Sequence, residues 1–185
     1  MGWRGGARAG SRLPRRHVIL VGLPGSGKTT VGRLAAEALG APFVDLDERI
    51  AARAGKSVAR LFAEDGEPRF RALEAEIGRE ILGGPPAVVA PGGGFVAAAV
   101  TRDLAGRSGL VVYLETSAAE ATARLGGAAG RPLLEGASPQ ARMADLLAER
   151  AALYGRCECA VRTDGRSAAE VAAAVVLLAR DRAGW

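Results

Sequence analysis

Eight consecutive residues, Gly22-Leu-Pro-Gly-Ser-Gly-Lys28-Thr29, carry the clearest chemistry in this 185-residue chain. They match the spacing G-x-x-x-x-G-K-[ST], whose glycines let successive backbone N–H groups turn inward on phosphate oxygens. A helix that begins at the lysine adds the partial positive charge of its N-terminus. Lys28 can reach the β- and γ-phosphates of a nucleoside triphosphate, and Thr29 can offer its hydroxyl to Mg²⁺. The motif predicts nucleotide binding and leaves the phosphoryl acceptor open.

Asp45 and Asp47 stand two apart at the end of a short apolar run. Strand periodicity would turn both toward the phosphates. One carboxylate could then support a Mg²⁺ shell and the other accept the proton of an attacking hydroxyl. Asp47 also reads as a helix N-cap, because Glu48-Arg-Ile opens a helical pattern, and the two roles are compatible. Three arginines lie at suggestive places, each with a plain alternative. Arg71, in Gly66-Glu-Pro-Arg-Phe-Arg71, has Glu67 one turn away as an i,i+4 surface partner. Arg131 lies in a Gly-rich stretch that suits a lid closing over phosphates, or is a solvated loop charge. Arg150 follows Glu149 in a long helical pattern, where a solvated face is the ordinary reading. Gly92-Gly93-Gly94 suggests a close approach of backbone to ligand, or a tight turn.

The elements around these residues alternate strand and helix. Strands are expected at 17–22, 43–45, 87–90, 110–114 and 159–162. Helices are expected at 28–39, in two pieces broken at Gly55, at 67–82, briefly after Thr101, and at 139–154. Two Ser-x-x-Glu capping boxes, Ser117 to Glu120 and Ser167 to Glu170, open the remaining helices. Such alternation predicts an α/β fold, a parallel sheet covered by helices on both faces. Active sites in such sheets lie at the carboxyl ends of the strands, where every motif above falls.

The net charge of +5 suggests nucleic-acid binding until it is located. Arg4, Arg8, Arg12, Arg15 and Arg16 supply all of it. Residues 1–16 are therefore expected to form a basic, disordered extension, with a single domain over 17–185. That domain carries 20 basic and 20 acidic groups, which argues against a nucleic-acid footprint. No apolar run is long enough for a bilayer. Cys157 and Cys159 are too close in sequence for an ordinary disulfide, and read as small core residues on one face of a strand. The expectation is a cytoplasmic protein, acting as a monomer on a small molecule.

The ordered set of motifs resembles the shikimate kinases from about residue 17 to 176. The resemblance rests on residues 22–30, Asp45-Leu-Asp47, Gly66 to Arg71 with Glu74, Gly92-Gly93-Gly94, Arg131-Pro-Leu-Leu and Glu149-Arg150-Ala-Ala-Leu-Tyr154. It implies a three-layer P-loop kinase fold with a five-stranded parallel sheet ordered 2-3-1-4-5 and a lid at about 126–138. It implies ATP-dependent phosphorylation of the 3-hydroxyl of shikimate, with ATP and Mg²⁺ as cofactors. Asp47, Lys28 and Arg131 would be catalytic. Gly25, Ser26, Gly27, Lys28, Thr29, Thr30 and Arg131 would bind ATP, with Arg124 and Arg166 flanking the adenine. Asp47, Arg71, Gly92, Gly93, Gly94 and Arg150 would bind the acceptor, the two arginines gripping its carboxylate. Thr29 and Asp45 would serve the metal, Asp45 through water. Pro91 and Phe95 depart from the usual pattern. The alternatives are another small-molecule kinase of this fold, such as a gluconate kinase, and a non-catalytic nucleotide-binding module. Intact Lys28, Thr29 and Asp47 weigh against the latter.

Overall fold

A computed structural model describes residues 13–92, 108–126 and 138–185 of the chain. Gly93, Gly94, Phe95, Arg131, the short helix expected after Thr101 and most of the expected lid lie outside the described residues. Five strands form one parallel sheet: β1 His17–Val21, β2 Phe43–Asp45, β3 Val88–Ala90, β4 Gly109–Glu115 and β5 Cys159–Arg162. Their order is β2-β3-β1-β4-β5, as the resemblance implied. The described helices are α1 Lys28–Leu39, α2 Leu46–Ala54, α3 Val58–Leu82, α4 Ala118–Leu125, α5 Pro139–Tyr154 and α6 Ala168–Arg182. α3 is interrupted at Gly66 (φ 80°, ψ 167°), so the second half starts where the sequence places a helix.

The central strand β1 is apolar on both faces because helices cover both. Val18 and Leu20 face one core with Val31 and Ala35 of α1 and Val171 and Val175 of α6. Ile19 and Val21 face the other, with Leu46 and Ile50 of α2 and Phe70, Leu73 and Ile77 of α3. A third cluster joins Leu23 of the phosphate loop to Ala121 of α4 and to Met143 and Leu146 of α5. Fully burying Leu23 contributes about 2 kcal/mol and anchors the loop against both helices.

Three local expectations are corrected. Arg15 and Arg16, assigned to a disordered extension, are docked. The Arg15 guanidinium lies 4.8 Å over the Trp185 ring. Arg16 donates to Ala183 O through its backbone and to Gly109 O through its side chain, and its own carbonyl accepts from Trp185 Nε1. Secondly, Cys157 precedes β5 and packs with the α2 and α3 core, whereas Cys159 packs with the α1 and α6 core. They do not share a strand face. Thirdly, the box at Ser117 is only half made. Its hydroxyl accepts from Glu120 N, but its own N–H goes to Asp164, which ties the ends of β4 and β5 together. The box at Ser167 is complete. Among the described residues no helix is long and apolar enough to cross a membrane.

Candidate active site

The loop from Gly22 to Gly27 leaves the carboxyl end of β1 and runs into α1. Gly25 takes φ +81°, and a Cβ there would run into the Ala121 carbonyl of α4, so only glycine fits. Ser26 is buried, Gly27 is the cap of α1, and Thr30 is exposed on its first turn. Lys28 Nζ donates to the carbonyls of Gly22 (3.1 Å) and Leu23 (2.9 Å), which holds its charge over the loop. Thr29 Oγ1 donates to Asp45 Oδ2 at 2.8 Å. A hydroxyl and a carboxylate oxygen at the first turn of α1 are hard donors of the kind Mg²⁺ takes, so the residues present fit that ion.

Asp45, rather than Asp47, is the N-cap of α2: its Oδ1 accepts from the backbone N–H of Asp47 and of Glu48. Asp47 therefore stands inside the first turn of a helix, and strand alternation does not orient it. It is closely packed against the end of β3. A Cβ on Gly92, just past β3, would lie 2.5 Å from Asp47 Oδ1 and 3.3 Å from Glu74 Oε1. The glycine thus makes room for two carboxylates.

Glu74 is 1% exposed, on the α3 face that also carries Phe70, Leu73 and Ile77. Burial raises its carboxyl above the ordinary value. The Arg71 ion pair opposes that rise, the negative charge of Asp47 reinforces it, and Arg150 opposes it more weakly. Asp47, Arg71 and Arg150 therefore all lie within electrostatic reach of one buried acid. Arg71 Nη1 donates to Glu74 Oε2 at 2.7 Å, while its Nε and Nη2 reach Glu67. The expected surface pair with Glu67 exists, and it uses only one side of the guanidinium fork. Arg150 is 7% exposed, which corrects the solvated-face reading. Its Nη1 is buried and makes no hydrogen bond among the described residues. A buried guanidinium with an unmet donor is costly and suits an anionic ligand.

With that arrangement established, the comparison with known proteins is decisive. The family model "Shikimate kinase" matches residues 24–179. The chain belongs to the shikimate kinase family. The shikimate kinase of Thermobifida fusca (strain YX) is 51% identical over 141 residues, covering 76% of this chain and 80% of that protein. A solved shikimate kinase from Acinetobacter baumannii, in complex with shikimate, superimposes with a TM-score of 0.86 at 33% identity, covering 91% of this chain and 95% of that one. A gluconokinase from Sinorhizobium meliloti 1021, at 22% identity and a TM-score of 0.60, shares the fold alone.

In this chain Arg124 lies on α4, the helix whose Ala121 carbonyl faces Gly25 of the phosphate loop. Arg124 donates to Glu120 and to both oxygens of Thr163. Arg166 is exposed and folds back on its own turn, donating to the carbonyls of Arg162 and Glu170. The structure brings Lys28, Thr29 and Asp45 together, and gathers Asp47, Arg71, Gly92 and Arg150 around Glu74. It leaves Arg166 apart from both groups. Sequence reasoning assigned no role to Glu74. A charged residue at the apolar spacing of Phe70, Leu73 and Ile77 is the signal that could have found it.

Proposed function

We propose that the chain transfers the γ-phosphoryl group of ATP to the 3-hydroxyl of shikimate. The observation that carries this reading is the position of Asp47. It follows the Asp45 that binds Thr29 of the phosphate loop, and it shares the Glu74 neighbourhood with Arg71 and Arg150. A hydroxy acid whose carboxylate meets the arginines would present its hydroxyl between Asp47 and the phosphates.

Each residue has a defined task in that reading. Lys28, with Arg131, neutralises charge on the transferring phosphoryl group. Gly25 to Thr30 hold the phosphates, and Arg124 and Arg166 flank the base. Thr29 and Asp45 would hold Mg²⁺, Asp45 through water. The ion, when bound, supplies electrostatic stabilisation of the triphosphate. Asp47 accepts the proton of the attacking hydroxyl and aligns it. Arg150 offers its unmet donor to the carboxylate. Arg71 keeps the buried Glu74 as a fixed partner and exchanges the exposed Glu67 for the ligand. An exposed pair of that kind is worth at most about 1 kcal/mol, so the exchange is cheap. Gly92 to Gly94 let the backbone approach the acceptor. Positioning and electrostatics supply most of the rate in this chemistry. In this reading the protein is a cytoplasmic monomer acting on small molecules rather than nucleic acid, and the balanced charge of residues 17–185 supports the last point.

The test is ADP release from ATP and Mg²⁺ with shikimate, gluconate, AMP or no acceptor. Release that requires shikimate is expected, and equal release with gluconate or without acceptor would overturn the reading. Asp47→Asn is expected to keep ATP binding and lose about 100-fold or more in kcat.

A further inference from the structure

The base-binding end of the site has its own support. α4 meets the phosphate loop at Gly25, and Arg124 follows one turn after Ala121, the point of contact. The guanidinium of Arg124 is held along its edge at all three nitrogens. Nε donates to Glu120 Oε1 at 3.1 Å, Nη1 to Thr163 Oγ1 at 3.1 Å and Nη2 to Thr163 O at 2.8 Å. With its edge so committed, the group has its flat face to offer a ligand, and a planar cation presents that face to an aromatic ring. The side chain is 29% exposed, so it is accessible.

Thr163 fixes the plane of that cation. It stands one residue beyond β5 and is 1% exposed. Its hydroxyl has a single proton. Oγ1 accepts from Arg124 and also shares a hydrogen bond with Thr116 Oγ1, 2.7 Å away, in which either hydroxyl can donate. Thr116 is equally buried and donates in turn to Leu114 O at 3.4 Å. The result is a hydrogen-bonded relay from the guanidinium through two buried hydroxyls to the backbone of β4. The Leu114 carbonyl at its foot also abuts Gly22, the first residue of the phosphate loop. The base end and the phosphate end of the site are thus rooted in one strand terminus.

We infer that Thr163, backed by Thr116, is the positioning residue that sets the plane of Arg124 and thereby the affinity for the nucleotide base. This rests on the reading of Arg124 as a base-flanking residue. Thr163 acts on the nucleotide through Arg124, and the acceptor side stands apart from it.

The experiment compares Arg124→Ala, Thr163→Val, Thr163→Ser and Thr116→Val with the wild-type chain. It measures KM for ATP and for shikimate, and competitive inhibition by ADP and by tripolyphosphate, which has phosphates and no base. Arg124→Ala and Thr163→Val are each expected to raise KM for ATP and the inhibition constant of ADP by about fivefold or more. Tripolyphosphate inhibition and KM for shikimate stay within about twofold, and Thr163→Ser restores wild-type values. If Arg124→Ala weakens ATP and Thr163→Val does not, the inference is overturned and the reading of Arg124 stands. If Arg124→Ala changes nothing, that reading falls and takes the inference with it. An equal loss of ADP and tripolyphosphate affinity would mark Thr163 as a general support of the loop and overturn the inference. Should Thr163→Val fail to fold, Thr116→Val decides: a rise confined to ATP and ADP supports the relay, and wild-type constants overturn it.

Discussion

Asp45 divides its two carboxylate oxygens between Thr29 of the phosphate loop, 2.8 Å from Oδ2, and the backbone N–H groups of Asp47 and Glu48, which share Oδ1. One side chain therefore links the nucleotide side of the site to the helix that carries Asp47. Asp45→Asn keeps an acceptor for the cap, which costs well under about 1 kcal/mol, but it removes the charge beside Thr29. The expected outcome is a near-normal Tm with a higher Mg²⁺ concentration for half-maximal ADP release. An unchanged Mg²⁺ titration would separate Asp45 from the metal.

Gly92→Ala tests the two-carboxylate contact directly. The added methyl would need the space of Asp47 Oδ1, 2.5 Å away. Moving Asp47 should lower kcat by about tenfold or more, as small misplacements of reacting groups do. ATP affinity should persist, since the phosphate loop is untouched. A variant with wild-type kcat would show that Asp47 tolerates displacement.

Glu74 gives a pH-dependent signature. Its folded pKa is raised above the ordinary value of 4.5, chiefly by burial. A raised value means that the folded state holds the proton more tightly than the unfolded chain. The contribution is fully favourable below pH 4.5 and is lost as pH rises through the folded value. Glu74→Gln cannot titrate, so the difference in Tm between variant and wild type should grow more positive from pH 4 to pH 8. The same variant should raise KM for shikimate, because Arg71 loses its buried charged partner. A Tm difference that is flat with pH would contradict the assignment.

His17 runs the other way. It is the chain's one histidine, and burial pushes its pKa below 6.5. The Ala87 N–H donates to Nδ1 at 3.2 Å, which requires that nitrogen to be unprotonated. The unfolded chain takes up a proton as pH falls through 6.5 and the folded chain does so only at lower pH, so stability declines across that window. Scanning calorimetry should show Tm falling from pH 7.5 toward 5.5, with a shallower slope in His17→Gln. Equal slopes would assign the acid sensitivity elsewhere.

How far the sequence alone reached follows from the range of the forces involved. Local patterns fixed the strands, most of the helices, the phosphate loop and the cap at Ser167, because turns, caps and apolar periodicity are encoded within a few residues. The ordered motifs, read as a family resemblance, supplied the strand order and the list of candidate residues. Tertiary structure decided which of those residues meet. Arg150 reads as surface within its own helix and is buried only because α5 lies against the rest of the fold. The cap fell to Asp45 rather than Asp47 because β2 ends one residue before α2 begins. Glu74 gained its importance from Gly92 and Asp47, which are distant in sequence. The Thr116–Thr163 pair spans 47 residues and exists because β4 and β5 end side by side. Packing between distant segments has no local signature, and for that reason the electrostatics of the site emerged only from the fold.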